Sequence, residues 1–449
     1  MLINGQNMGK YFGDLYKKFD APYFGIYLFN EPFLVVKDPN VLKHIQIKDF
    51  HKFSDKFIYN NPEIDPIFCN LMMTVKSNKW KFFRTHLSQT FTTSKLKKMI
   101  NVMKLNGDNL HQYMKSLTDR KFQATFAIEN YSTDVVSTTL FGLDSNSFAE
   151  KNNPLKHHAL NFFPRYSYEA IKVYSYHFIH ALVKLFKYEF VNSSASKFFS
   201  RVFTDVIKTR EETQTQRDDL VDFLIDLKNK AAEEGLNHID HKSFLGQAIS
   251  FFIAGQETTT IILSCLLHEL CVNIDIQERV RKEINEVLEE YGELKYESIN
   301  QMKYLDMVIS EALRKYPVLG IIQRKCIEDS VIPETNFKIE RGTNIIVPIH
   351  GLLFDENYFP DPNKFDPERF SEANKHKVNP YVYQPFSLGP RNCIGKRFAL
   401  LNMKIAVVYL MQKYQFELRS DAKITLDFGT SQLGHSKEKV DVICTPIAT

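Results

Sequence analysis

Ten residues near the C-terminus, Phe386-Ser387-Leu388-Gly389-Pro390-Arg391-Asn392-Cys393-Ile394-Gly395, constrain this chain more than any other stretch. One cysteine sits in a glycine-bracketed loop, with an aromatic seven residues before it and an arginine two before it. A helix-like run, Lys396 to Tyr414, follows directly. Backbone N–H groups of such a loop, and the N-terminus of the helix behind it, stabilise a negatively charged sulfur. The glycines admit backbone conformations and close approaches that a side chain would block. This is the arrangement a protein needs to present one thiolate to a haem iron. Phe386 can shield the sulfur, and Arg391 can meet a haem propionate through charge-assisted hydrogen bonds. Fixing Phe, Gly, Arg, Cys and Gly by chance, at about 5% usage each, gives on the order of one hit in thousands of chains this long.

A second motif, Ala254-Gly255-Gln256-Glu257-Thr258-Thr259, lies in an apolar segment from about Phe244 to Cys271 that reads as a long buried helix. An acid and a hydroxyl placed there are costly without a purpose. Thr258 can hydrogen-bond to a carbonyl one turn back and open the helix locally. Gly255 is expected to leave room above a flat cofactor, beside Ala254. An acid next to a hydroxyl can relay the protons that oxygen activation consumes, which gives Glu257 and Thr258 a catalytic role.

Two further patterns carry charge. Glu311 and Arg314, in Glu311-Ala312-Leu313-Arg314, stand three residues apart and share one helix face. Trp80 and Arg84, in Trp80-Lys81-Phe82-Phe83-Arg84, stand four apart, so an indole N–H and a guanidinium can both reach one carboxylate. Lysines cluster around these elements at 79, 81, 95, 97 and 98, with Lys396 and Arg397 after the cysteine loop. If helix 80–91 and the loop share a face, that face is basic and steers an acidic electron donor.

The bulk properties narrow the class. Fifty-seven Lys and Arg against 53 Asp and Glu leave a formal charge of only +4, which gives no reason to propose nucleic-acid binding. Six cysteines, at 69, 265, 271, 326, 393 and 444, form no CxxC pair, so neither a zinc cluster nor a disulfide framework is indicated. Cys265 and Cys271 fall in the apolar helix and read as core residues. There is no run of 18 apolar residues, and Met1 to Asp14 is polar and glycine-containing. The chain holds no GxGxxG and no flavin-binding motif, so no nucleotide-binding fingerprint is present in it.

Strands are expected at Phe24 to Phe29 and Phe33 to Val36, around Asn30-Glu31-Pro32. Asp38-Pro39 reads as an N-cap with proline at the first helical position. The chain from about 40 to 320 is helical in pattern; Ile276, Val280, Ile284, Val287 and Leu288 recur at helical spacing. Glu211 to Asp219 reads as a loop or exposed helix. Lys338-Ile339-Glu340 and Asn344 to Pro348 read as a hairpin around Arg341-Gly342-Thr343. The stretch 355–385 reads as a long irregular loop, which is unusual unless it has a job. A β-rich tail runs from about 415.

The cysteine loop and the Ala254–Thr259 motif resemble those of the cytochrome P450 haem-thiolate monooxygenases, and the resemblance runs from about residue 10 to the end. It implies one large unit over 1–449, mainly α with small β-sheets (α+β). It implies haem b bound through Cys393, with Ala254, Phe386 and three arginines, Arg84, Arg324 and Arg391, around it, and Trp80 beside the propionates. Arg369, in Pro367-Glu368-Arg369-Phe370, would join Glu311 and Arg314 in a buried ion network. The reaction would insert one O2-derived oxygen atom into an apolar small molecule. Electrons would come from NADPH through cytochrome P450 reductase, with cytochrome b5 as a second donor. The runs Tyr304-Leu305-Asp306-Met307 and Asp366 to Ser371 resemble the animal, and in particular insect, microsomal branch. Members of that branch begin with a membrane helix, so an endoplasmic-reticulum location is expected, with the anchor missing from this sequence. The aromatic-rich stretch from Phe162-Phe163-Pro164 to Phe190 would roof the pocket and dip into the membrane surface. Gly351-Leu352-Leu353-Phe354 and Thr430 to His435 depart from relatives. A haem-thiolate isomerase or dehydratase is the first rival, and retention of Glu257-Thr258 argues against it. A non-catalytic haem-binding product of a truncated gene is the second.

Overall fold

The computed structural model describes residues 7–150, 152–164, 167–333, 335–429, 433–437 and 439–447. A 32-residue helix, His241–Val272, runs through the main hydrophobic core. Asp240 and Ser243 start it with a capping box: the Asp240 carboxylate accepts the Ser243 N–H at 3.0 Å, and the Ser243 hydroxyl oxygen accepts the Asp240 N–H at 3.2 Å. Among the described residues, this is the one helix long and apolar enough to cross a bilayer. It is instead buried inside the protein, with helices Ala124–Phe141, Ser193–Thr213, Lys303–Lys315 and Lys396–Met411 packed around it. The apolar period read over 276–288 forms helix Ile274–Tyr291, which Gly292 ends at φ +70°.

The strands are few and short. Tyr23–Leu28 and Glu31–Val36 pair antiparallel around a two-residue turn, Phe29-Asn30, tighter than the sequence suggests. Pro32 is tolerated because the second partner of its strand begins only at Phe33. That partner, Asn344–Val347, runs parallel with Leu34 opposite Ile345. Ile322–Lys325 completes a four-stranded sheet, antiparallel to Asn344–Val347. A second hydrophobic cluster, including Leu34, Val36, Ile345 and Val347, forms around this sheet. The C-terminal tail supplies Tyr414–Leu418 and Asp441–Pro446, which form a sheet with Lys121–Gln123.

One expectation is corrected. Residues 338–348 do not form a hairpin. Phe337–Ile339 pairs with Ser330–Ile332, whereas Asn344–Val347 enters the four-stranded sheet. The turn at 340–343 is present, with Thr343 N–H donating to Glu340 O at 3.1 Å. Burial separates the two arms: all four residues of Asn344–Val347 are buried, and two of the three in Phe337–Ile339 are exposed. A sequence of Ile-Ile-Val gains more inside a sheet than on an edge pair. The polar stretch 211–219 is a helix end and a loop, exposed from 212 to 218 as expected, and only its last residue turns inward. Asp219 is buried, caps helix Leu220–Glu233, and meets Arg210 at 2.6 Å.

Candidate active site

The core helix and the cysteine loop meet around a cavity of about 360 Å3. Between its ends, the core helix buries every residue except Ala254, Gly255 and Thr258. All three line the cavity, so their open surface belongs to it. Thr258 Oγ1 donates to Ala254 O at 2.6 Å, the back-bond expected of a mid-helix threonine. The bond does not open the helix, which is continuous from 241 to 272. The space comes from the small side chain of Ala254. Besides lining the cavity, Gly255 has a second job: a Cβ there would stand 2.9 Å from Val136 Cγ2, so the glycine also lets helix Ala124–Phe141 approach. Glu257 also lines the cavity but is itself buried, with Oε1 2.7 Å from His435 Nε2.

The loop is fixed by its own backbone. Cys393 N–H donates to Phe386 O at 2.8 Å, and Asn392 N–H donates to Gly389 O at 3.0 Å. Gly389 has φ +68°, and a Cβ on it would fall 1.8 Å from the carbonyl oxygen of Gln46. Only glycine fits there. Arg84 donates to Asn392 O at 2.9 Å, tying helix Ser77–Leu87 to the loop. The Cys393 sulfur is exposed by surface area, yet its thiol pKa is raised by burial. The two agree once the open surface is recognised as cavity wall rather than bulk solvent. The Gly395 N–H, Arg84 and Lys396 pull the other way and favour the thiolate.

Cations gather at the same cavity. Arg84, Arg324 and Arg391 line it, and so does Lys56, which has no motif to mark it in sequence. Burial lowers Arg324 to about 10. Burial, then Arg324, lowers Arg391 to about 9. Burial, then Arg391 and Arg324, lowers Lys56 to about 7. Arg391 donates to Ser54 O at 3.0 Å and Val75 O at 2.9 Å, and stands 3.8 Å from Asp55. Arg324 Nε is buried without a partner, and among the described residues no hydrogen bond or ion pair engages the Lys56 ammonium. Like charges crowded into a low-dielectric site call for an anion. Trp80 stands apart from the lining; its ring carries the Arg391 guanidinium, 4.2 Å from the centroid. A soft sulfur donor, a small residue on the facing helix and unmatched cations fit haem b, which brings one iron and two propionates.

Comparison with known proteins decides the family. The Cytochrome P450 family profile matches residues 1–443. The chain belongs to the cytochrome P450 family. It is 36% identical over 448 residues to cytochrome P450 6k1 of Blattella germanica, an alignment covering 96% of this chain and 85% of that protein. It is 34% identical to cytochrome P450 6l1 of the same cockroach, over 90% of this chain and 80% of that one. It is 31% identical to the probable cytochrome P450 6a13 of Drosophila melanogaster, over 93% and 84%. This P450 is therefore a haem-thiolate monooxygenase, an oxidoreductase that uses haem b with an axial cysteine thiolate. It receives electrons from NADPH through a reductase and inserts one O2-derived oxygen atom into an apolar small molecule.

The helix at 77–87 and the cysteine loop do share a face, but that face is less basic than the sequence count suggests. Lys95 and Lys98 pair with Asp218 at 3.4 and 2.6 Å, and Lys97 pairs with Glu297 at 2.5 Å. Arg397 donates to Thr93 Oγ1 at 2.7 Å. Lys81 and Lys396 stand exposed beside them.

Proposed function

We propose that Cys393 is the axial ligand of this P450 and that Thr258 and Glu257 deliver its protons. The observation that carries this reading is that Cys393, Ala254, Thr258 and Glu257 line one cavity in an otherwise closed core. Haem held there supplies O2 activation and the transfer of one oxygen atom. The chain supplies the rest. The Gly395 N–H and Arg84 favour the thiolate against the burial that raises its pKa. Arg324, Arg391, Arg84 and Lys56 neutralise the propionates, and Phe386 and Phe398 close the wall around the loop against water. Thr258 can turn its hydroxyl from Ala254 O toward the cavity and accept a proton on Oγ1 while donating its own. Glu257, its neighbour in sequence, is the acid that restores it.

Thr258→Ala should keep NADPH consumption but raise the share of electrons recovered as hydrogen peroxide several-fold, because the second proton arrives late. Peroxide assayed against NADPH in the reconstituted reductase system measures this. An unchanged ratio would remove Thr258 from the path.

The reductase, with cytochrome b5 as a second donor, would dock on the face that carries Lys81 and Lys396. The location proposed is the cytoplasmic face of the endoplasmic reticulum membrane. Tyr27 and Phe29 on the N-terminal hairpin, and Tyr168, Ile171, Leu185 and Phe186 near helices 170–178 and 180–186, are large apolar side chains left exposed. Phe33 and Phe178, 5.5 Å apart, bring the two elements together. An apolar patch of this kind suits a lipid surface. Replacing Tyr168, Leu185 and Phe186 by serine should lower co-sedimentation with phosphatidylcholine vesicles at least several-fold. Equal binding by the variant would argue against this face.

A further inference from the structure

His435 comes from the C-terminal tail and meets the core helix 178 residues away in sequence, with Nε2 2.7 Å from Glu257 Oε1. Both side chains are largely buried, at 11% and 4% exposure, and the histidine keeps the larger opening. Glu257 Oε2 is buried with no hydrogen-bond partner among the described residues. The contact does not depend on a loose tip. Gly434 N–H donates to Val318 O at 2.9 Å, Leu433 forms a β-bridge with Leu319, and Gly429 N–H donates to His435 O at 3.0 Å. A Cβ at Gly434 would come within 3.0 Å of Pro317 O, so the backbone there must pass close.

We propose that His435 supplies protons to Glu257, as an additional member of the proton path of this P450. The inference rests on the reading of Glu257 as the acid of that path. The step balances without a further reagent. The imidazolium Nε2–H bond breaks as an O–H bond forms on Oε1, and a cation–anion pair becomes a neutral pair. Solvent then returns the proton to the imidazole. The acid can turn its O–H from Oε1 to the side of the unpartnered Oε2, away from the histidine. Histidine is the side chain that carries a proton in either direction near neutral pH.

The charged groups on the surrounding elements are accounted for among the described residues. On the tail, Lys423 and Asp427 pair at 2.8 Å, and the charges of Lys437 and, from helix Met8–Lys18, of Lys10 also act on Asp427. On the core helix, Glu269 is engaged by the Tyr316 hydroxyl and by Lys315 at 2.7 Å. The segment 317–322 carries no charged residue. The remaining charges, Lys56, Arg84, Arg324 and Arg391, line the cavity itself.

The test compares wild type, His435→Gln, His435→Leu and Glu257→Gln as holoenzymes with reductase and NADPH. It measures the carbon-monoxide difference spectrum and the hydrogen peroxide formed per NADPH from pH 6 to 9. Glutamine reproduces the Nε2–H donor but cannot release its proton between pH 6 and 9. The expected result is that both His435 variants keep the thiolate-type spectrum, release several-fold more peroxide, and lose the pH dependence seen in wild type. Wild-type behaviour of His435→Gln would reduce His435 to holding Glu257 in place and overturn proton supply. Wild-type behaviour of both variants would overturn any role. If Glu257→Gln alone leaves the peroxide ratio unchanged while the spectrum is normal, the acid reading itself has failed. A second readout needs no turnover. In the ferrous carbon-monoxide form, the 15N signals of the His435 side chain should differ between wild type and Glu257→Gln; unchanged signals overturn the pairing.

Discussion

Cys393→Ser should abolish the strongly red-shifted Soret band of the reduced, carbon-monoxide-bound protein and, with it, incorporation of oxygen from O2. A serine hydroxyl is a poor donor to this iron and is not deprotonated at neutral pH, whereas the thiolate pushes electron density onto the metal and favours O–O cleavage. The fold should survive. The sulfur faces the cavity, and the loop around it is held by backbone hydrogen bonds, by Arg84 and by the glycine at 389, none of which uses the side chain of residue 393. Circular dichroism and thermal unfolding of the apoprotein should therefore match wild type. Persistence of the band in the serine variant would mean another residue is the ligand. Absence of the band in wild type would mean the thiolate is protonated or displaced.

Arg314→Ala should be the most damaging single change outside the cavity. Arg314 is wholly buried and meets Glu311 through two hydrogen bonds, 2.7 and 2.8 Å. It also donates to Leu353 O at 3.0 Å and Pro362 O at 2.8 Å, and so fastens the irregular stretch before the cysteine loop. Glu311 in turn accepts the Asp366 N–H at 2.9 Å, with Arg369 Nε at 3.4 Å. Removing the guanidinium strands a buried carboxylate and two carbonyls, at a cost of about 3–5 kcal/mol. Little holoprotein should accumulate. Arg314→Lys should recover only part of the loss, because an ammonium cannot fork to the carboxylate and reach both carbonyls. Replacing Glu311 and Arg314 together by Gln and Met should be milder than Arg314→Ala, since no buried carboxylate is left behind, although Arg369 loses its carboxylate partner. Normal haem yield and unchanged melting in Arg314→Ala would sink the account.

What could be read in sequence was what covalent spacing imposes. The cysteine loop, the Thr258 back-bond and the Glu311–Arg314 pair all join residues within one turn or one loop, so local geometry is enough. Misreadings arose where two local solutions were equally good. The turn at 340–343 serves a hairpin or a change of sheet, and only the buried company of Ile345 and Ile346 decides between them. Gly255 lines the cavity and also admits a helix, and the second job shows only once Val136, 119 positions upstream, is beside it. Lys56 and His435 belong to no motif. Lys56 reaches the cavity because Asp55 bridges to Lys325, beside Arg324, and His435 because the tail is stitched to 317–322. Of the unusual segment Thr430 to His435, residues 430–432 lie outside the described part of the protein.

The four-stranded sheet has a consequence for how the molecule is made. Glu31–Val36 leaves the ribosome more than three hundred residues ahead of Asn344–Val347, the strand it runs beside. Until then the N-terminal hairpin has one bare edge, and its apolar residues Phe33, Leu34 and Val35 have no second neighbour. Closing that sheet brings in Ile322–Lys325, and with it Arg324, so the cation wall of the cavity is complete only when nearly the whole chain has been synthesised. Cofactor capture is thereby placed late in assembly, after that sheet has closed and the loop that carries Cys393 has followed it.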